Sequence, residues 1–165
     1  MELYNLYEEM FSVVNALEVD RIDYAVCGGL AVAIHGFVRA TRDIDLLILR
    51  EDLDRVLVAA RRCGFNLEGG MLPMGAGEPF PRDIFRISKV VGKDLVTLDL
   101  LIVNPLLQQA WDARESYEWQ GRTLQAVSPA GLYVMKKLAG RPQDLVDLQR
   151  MGLWPDDSTS ENAAP

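Results

Sequence analysis

Cys27-Gly28-Gly29-Leu30-Ala31-Val32-Ala33-Ile34-His35-Gly36-Phe37-Val38-Arg39-Ala40-Thr41-Arg42-Asp43-Ile44-Asp45-Leu46-Leu47-Ile48-Leu49 joins a glycine pair to two carboxylates one residue apart. Ile44 and the run Leu46 to Leu49 predict a strand from Asp43 to Leu49, and a strand's period of two puts Asp43 and Asp45 on one face. Aspartate is poorly suited to strands. Two like charges on a half-buried face repel and resist desolvation, so such a pair persists most readily when a cation neutralises it. The first reading of Asp43 and Asp45 is therefore a divalent-metal site.

Upstream, Asp23 to Cys27 reads as a short buried strand that stops at Gly28-Gly29, and the Ala-rich Leu30 to Phe37 as a short helix beginning just after the glycines. Strand, glycine turn and helix N-terminus together present backbone N–H groups to an anion. A plain turn is the competing reading of Gly28-Gly29; the carboxylates that follow favour a phosphate. Arg39 and Arg42 flank Thr41 immediately before the acidic strand. They are candidates for triphosphate contact or, equally, part of a solvated connection, with Thr41 supporting the loop.

Downstream, Glu51 to Cys63 has helical periodicity, Leu53, Val56, Leu57 and Ala60 facing inward and Arg61-Arg62 at the end that favours cations, with Gly64 as stop. Phe65 to Leu67 begins a strand at most, because Gly69 to Pro81 holds four glycines and three prolines and predicts an irregular loop. Asp83 to Val91 alternates Ile84, Arg86, Ser88 against Phe85, Ile87, Lys89, and the β-prone Asp94 to Val103 follows a Gly92-Lys93 turn, which predicts a hairpin. Asp99 lies inside that second strand. A lone Asp there is costly unless paired or metal-bound. Placed beside the Asp43/Asp45 strand, it becomes the third carboxylate of one face.

The remaining segments complete an α+β (mixed α/β) chain. Leu3 to Leu17 is an amphipathic helix with an acidic outer face. Pro105 to Arg114 is helical, and Tyr117 to Val127 is a hairpin turning at Gln120-Gly121. Ser128 caps a helix Ala130 to Ala139 that has Pro129 at its first position and carries Lys136 and Lys137. A last helix, Gln143 to Met151, sets Asp144 and Asp147 on one face. A single domain is expected over residues 1–153, with a core at 22–103, a helical part at 104–153 and a disordered acidic tail at 154–165.

The chain has 165 residues, 49% of them hydrophobic, enough for a core. No apolar run approaches the ~20 residues that cross a bilayer, and the acidic start is unlike a secretory signal, so a cytoplasmic protein with no membrane association is expected. Cys27 and Cys63 then read as free thiols. The net charge of −7 argues against binding nucleic acid through a broad positive field. A local basic cluster remains at Arg82, Arg86, Lys89 and Lys93, which a solvated mixed surface also explains.

Three carboxylates holding two divalent ions, beside a turn that receives phosphates, are the equipment of phosphoryl or nucleotidyl transfer. Such ions stand about 3.5–4 Å apart and stabilise the attacking and leaving oxygens. At these residues the chain resembles the nucleotidyltransferase superfamily of DNA polymerase β, the minimal nucleotidyltransferases and the aminoglycoside nucleotidyltransferases. That pattern of a glycine pair, a helix, Asp-x-Asp and a later carboxylate is matched by Gly28-Gly29, Asp43/Asp45 and Asp99. The finer texture, Gly-Gly-x-Ala-x-x-x-His-Gly then Arg-x-Thr-x-Asp-Ile-Asp, resembles the AbiEii/AbiGii-type toxin branch and its small relatives. Lys136 or Lys137 and the Arg141 to Asp147 segment are similar to that branch's helical lysine and Lys/Arg-x-x-Asp-x-x-Asp element. The resemblance spans roughly residues 22 to 150.

It implies a small mixed sheet flanked by helices, with a C-terminal helical segment. It further implies transfer of a nucleoside monophosphate from an NTP, with two Mg²⁺ ions (Mn²⁺ as a substitute), to a hydroxyl or phosphate acceptor such as RNA, tRNA, protein or a small molecule. Asp43, Asp45 and Asp99 would be metal ligands and catalytic, Asp99 alternatively a general base. Gly28, Gly29, Thr41, Arg42, Lys136 and Lys137 would bind the nucleotide. AbiEii-type toxins are longer, which bears on the acceptor more than on the fold. A cognate antitoxin protein is an expected partner if the chain is toxin-like. Two other classes remain: a regulatory partner protein keeping the fold, and an aminoglycoside-type enzyme, whose cationic substrate would suit the acidic surface. His35, the only histidine, is expected to be structural; Lys136/Lys137 could be a wet helix face, and Asp144/Asp147 partners of Arg141 or Arg150.

Overall fold

The computed structural model describes residues 5–77 and 80–154. Asn5 opens the first helix, α1 (Leu6–Val19), its side chain accepting from the backbone N–H of Tyr7 at 3.0 Å. The chain then runs β1 (Ala25–Cys27), α2 (Gly28–Ile34), β2 (Asp43–Ile48), a single 3₁₀ turn and α3 (Leu53–Arg62). Three strands follow, β3 (Leu67–Met74), β4 (Arg82–Val91) and β5 (Asp94–Ile102), then α4 (Gln108–Asp112), a hairpin of β6 (Glu115–Trp119) and β7 (Arg122–Ala126), and the helices α5 (Pro129–Ala139) and α6 (Pro142–Arg150).

All seven strands form one mixed sheet in the order β3-β4-β5-β2-β1-β7-β6. β2 is central: antiparallel to β1 and parallel to β5, it sets Asp45 opposite Asp99 and Asp43 opposite Thr97. The period of two then divides the chemistry from the core. Ile44, Leu46 and Ile48 of β2, Leu98 and Leu100 of β5 and Ile87 of β4 point to one face and are fully buried. Lys89 shares that face of β4, and its contacts identify what covers it: Glu9 on α1, the Cys63 carbonyl at the end of α3, and the Phe65 ring. Asp43, Asp45 and Asp99 occupy the opposite face, against which α5 and α6 bring Leu132, Met135, Lys136 and Arg141.

The mixed sheet with flanking helices is the expected class, and Ser128 caps α5 through the Gly131 N–H with Pro129 following, as the sequence predicts. Helices α1 and α3 start a few residues later than expected, at Leu6 and Leu53, and three further segments differ. Helix α2 begins at Gly28 rather than at Leu30, so the glycines are its first residues. Helix α4 covers only Gln108–Asp112 of the predicted 105–114, residues 105–107 forming a turn. The predicted loop from Gly69 is, as far as Met74, the edge strand β3. A bulge between Glu68 and Gly70 absorbs the glycines, Gly70 taking φ +79°, and Pro73 is tolerated because only one side of an edge strand needs donors. Of the tail expected at 154–165, residues 155–165 lie outside the described residues.

His35 has the structural place expected of it. Its Nε2 lies 2.8 Å from the Val127 carbonyl, and its ring meets Tyr117 edge-on with centroids 4.7 Å apart, tying the end of α2 to the β6–β7 hairpin. Trp119 packs similarly against Tyr7 and Phe11 of α1. His35→Ala removes one hydrogen bond and one aromatic contact, so the urea midpoint should fall by the equivalent of about 1–3 kcal/mol with the slope unchanged.

Candidate functional site

Gly28 and Asp45 define the floor of the site. Cys27 pairs with Asp45 across β1 and β2, which brings the next residue, Gly28, against the Asp45 side chain. Gly28 has φ +64°, and a Cβ built there would lie 2.2 Å from Asp45 Oδ2. Glycine is thus required twice, by backbone conformation and by the carboxylate beside it. A Cβ on Gly29 would stand 2.8 Å from Thr41 Oγ1 and 3.1 Å from Arg39 Nη2, so the second glycine seats the connection that leads into β2.

Above this floor opens a cavity of about 550 Å³ lined by elements from both halves of the chain. Gly28, Gly29, Arg39, Thr41, Arg42, Asp43 and Asp45 come from the segment that runs from the end of β1 into β2. Arg82 and Arg86 come from β4, Asp99 from β5, and Lys136 and Arg141 from the C-terminal helices. Six cationic side chains surround three carboxylates, in a protein whose overall charge is −7.

The carboxylates are electrostatically crowded. Burial pushes Asp45 up to about 7, reinforced by the charges of Asp99 and Asp43 and opposed by Arg141 and Lys136. Burial and then Asp99 raise Asp43 above the ordinary carboxylate range, with Arg86 and Arg42 pulling it back. Neither carboxylate has a hydrogen-bond or ion-pair partner among the described residues. The donor chemistry of this pair fits a hard divalent cation, which takes oxygen ligands. Asp99 differs. Arg86 grips it with a two-pronged fork, Nε to Oδ1 at 2.8 Å and Nη2 to Oδ2 at 2.9 Å. The three carboxylates share a face, yet no three His, Cys, Asp or Glu side chains form a ready metal-binding group among the described residues.

Lys136 lines the cavity from α5 but is only 5% exposed, and its ammonium is engaged, 2.9 Å from Asp147 Oδ2 and 3.5 Å from Asp144 Oδ1. Lys137 does not line the cavity and leans over the Tyr133 ring. Asp147 also receives Gln143 at 2.9 Å and has Arg39 Nε at 3.1 Å, while Arg141 binds Asp144 through Nε at 2.7 Å. Arg150, the other partner considered for these aspartates, instead donates to the Val38 carbonyl. The buried aspartates therefore act from behind, fixing two arginines and a lysine at the cavity wall. Burial raises Asp147, but Lys136, Gln143 and Arg39 outweigh it and hold it below its usual value.

Sequence reasoning leaves Arg86, Arg82 and Arg141 out of the site. For Arg86 a signal existed: counting outward from the Gly92-Lys93 turn, with Val91 opposite Asp94, sets Arg86 directly across from Asp99. Arg141 opens the Arg-x-x-Asp-x-x-Asp segment that the sequence marks without giving the arginine a role, whereas Arg82 reaches the cavity from a strand end that no local pattern announces.

No protein-family model matches this chain, and no curated protein matches it. Solved structures do. TM1012 of Thermotoga maritima, a candidate nucleotidyltransferase, superposes with a TM-score of 0.58 at 13% identity, over 88% of this chain and 91% of that one. JHP933 of Helicobacter pylori gives 0.54 at 17% identity, over 89% and 64%. The antibiotic-resistance factor ANT(2'')-Ia gives 0.55 at 16% identity in a solution structure, over 90% and 75%. In its crystal structure in complex with adenylyl-2''-tobramycin it gives 0.51 at 17% identity, over 88% and 79%. At such identities the likeness is one of fold.

The Lys136–Asp147 pair carries a testable consequence. Lys136→Met strands buried carboxylates and should cost about 3–5 kcal/mol in urea unfolding at pH 7. Because Asp147 is held below its unfolded value, its contribution is complete above about pH 4 and drains away as pH falls further. The wild type should therefore lose more stability than Lys136→Met between pH 5 and pH 3, two settings chosen to bracket that window.

Proposed function

We propose that this chain, which has the nucleotidyltransferase fold, transfers a nucleoside monophosphate from a nucleoside triphosphate to a hydroxyl or phosphate acceptor, releasing pyrophosphate. The observation that carries the reading is the pair of unpartnered carboxylates Asp43 and Asp45, standing with Asp99 on one sheet face at the floor of a cavity walled by arginines. Acceptor attack on the α-phosphorus forms one P–O bond and breaks the bond to the β-phosphate, so charge builds on the phosphoryl oxygens. A site for it needs positioning and countercharge above all.

Asp43 and Asp45 would hold Mg²⁺, which supplies charge neutralisation and orientation at the triphosphate. The glycine turn at Gly28 and Gly29, packed against Asp45 and Thr41, would face the phosphates at the cavity floor, and Arg42 would close over them. Arg42 is exposed at the rim and carries no hydrogen bond or ion pair among the described residues, which leaves its guanidinium available. Lys136 would act on the nucleotide only at short range, its charge being balanced by Asp147 and Asp144.

The acceptor is where the surface and the cavity differ. A net charge of −7 suits a polycationic small molecule, as does the fold shared with ANT(2'')-Ia, yet the cavity wall itself is predominantly cationic. An anionic acceptor, such as an RNA end, is the reading the wall favours, and phosphate contacts of that kind weaken steeply with salt.

Calorimetric titration of each of the four triphosphates, with and without Mg²⁺, tests the activity's first requirement. Wild type should bind at least one in a Mg²⁺-dependent manner, and Asp43→Ala/Asp45→Ala should weaken it by about 100-fold, ~2.8 kcal/mol. Failure of folded wild type to bind any triphosphate would remove the nucleotidyltransferase reading. If transfer to an RNA acceptor proved indifferent to salt, the anionic-acceptor reading would fall instead.

A further inference from the structure

Arg86 and Asp99 face each other across β4 and β5 on the cavity side of the sheet. Both oxygens of Asp99 are used by the Arg86 fork. The carboxylate is 8% exposed, whereas the Arg86 side chain is 46% exposed. A guanidinium has five N–H donors in a planar fork, and the Asp99 bonds use two of them. Three donors remain, two of them side by side on the open end of the guanidinium, in the arrangement that matches two oxygens of a phosphate. A buried acid thus holds an accessible cation by one edge and leaves the other free.

A cation on Asp99 would have to share its oxygens with a guanidinium already at hydrogen-bond distance, or displace it, against like-charge repulsion in a partly desolvated site. Asp43 and Asp45 carry no such occupant among the described residues. The surroundings also accommodate the arginine. On the edge strand, a Cβ on Gly69 would lie 3.3 Å from both Arg86 Cβ and its carbonyl oxygen, so this glycine, inside the bulge in β3, makes room for the Arg86 stem. Two residue pairs further along the hairpin, Ser88 and Thr97 pair hydroxyl to hydroxyl at 3.3 Å, continuing a polar row on the same face.

We propose that Arg86 is a phosphate ligand of this site and that Asp99 positions it, so that the third carboxylate acts through an arginine rather than as a metal ligand or base. The inference rests on the triphosphate reading above and assigns the part of the nucleotide that meets β4. Asp43 and Asp45 then take the cation, and Arg86 takes phosphate oxygens beside it, its opposite edge anchored to the sheet.

The test uses the full chain and two probes: inorganic tripolyphosphate in the presence of a chelator, followed by calorimetry, and Mn²⁺ alone, followed by electron paramagnetic resonance. Thermal melts confirm that each variant folds. Arg86→Met should weaken tripolyphosphate by about tenfold or more, and Arg86→Lys, which keeps the charge but lacks the fork, should recover little of it. Asp99→Asn gives the deciding sign. As a positioning residue its loss weakens tripolyphosphate, and Arg86→Met/Asp99→Asn is no weaker than Arg86→Met. As a mere counter-ion its loss removes a repulsive charge and tightens the anion. Mn²⁺ affinity should be unchanged in Asp99→Asn and lost in Asp45→Asn.

Tighter tripolyphosphate binding by Asp99→Asn, full affinity in Arg86→Lys, or loss of Mn²⁺ from Asp99→Asn would each overturn the proposal. Wild type that binds Mg²⁺·triphosphate while Arg86→Met binds tripolyphosphate normally sinks this assignment alone. Wild type that binds no nucleotide sinks it together with the reading it rests on.

Discussion

Repulsion among three carboxylates on one face of a sheet is the constraint to which the rest of this molecule answers. Burial first, and then the charges of Asp99 and Asp43, lift Asp45 to about 7 against the pull of Arg141 and Lys136. The opposite face of the same strands supplies the compensation. Ile44, Leu46, Ile48, Leu98 and Leu100 are fully buried there, and their hydrophobic burial holds β2 and β5 in a register that sets Asp45 beside Asp99. Strand periodicity couples the two, since a one-residue slip would exchange the apolar set and the acidic set.

Cations arranged around that face complete the balance, and four of them, Arg39, Arg86, Lys136 and Arg141, are held by carboxylates. Asp147, fully buried, gathers Lys136, Gln143 and Arg39, and Asp144 gathers Arg141, so α5 and α6 deliver positive charge to the cavity as a connected unit. A buried ion network of this kind contributes little net stability, because desolvation offsets most of the attraction. Its use here is positional: long, flexible side chains are held at one wall of a cavity that the sheet forms on the other. Arg86 on Asp99 repeats the scheme from the β4 side.

Much of this was legible in the residues, for identifiable reasons. The Asp43-x-Asp45 pair, the glycine turn and the hairpin around Gly92-Lys93 are local patterns whose geometry follows from backbone chemistry. Ser128 at the start of α5 is another. The edge strand β3 was not legible because glycine and proline ordinarily end strands, and a bulge beside a pairing partner removes that objection. Lys136 and Lys137 look alike in sequence, yet one is buried against two aspartates and the other lies over Tyr133. Only the position of α6 separates them.

What the sequence by itself determined is therefore the set of elements apart from the edge strand β3, and the face that Asp43, Asp45 and Asp99 occupy, since helical and strand periods act over a few residues and carry their own geometry. What only the tertiary structure decided is which charges meet. Arg39 reaches Asp147 across 108 residues of chain, and Arg82, Arg86, Arg141 and Lys136 converge on one cavity from separate elements. Electrostatic partnership depends on distance in space and on burial, and neither is set until the sheet has brought β4 and β5 beside β2 and the C-terminal helices have closed over its acidic face.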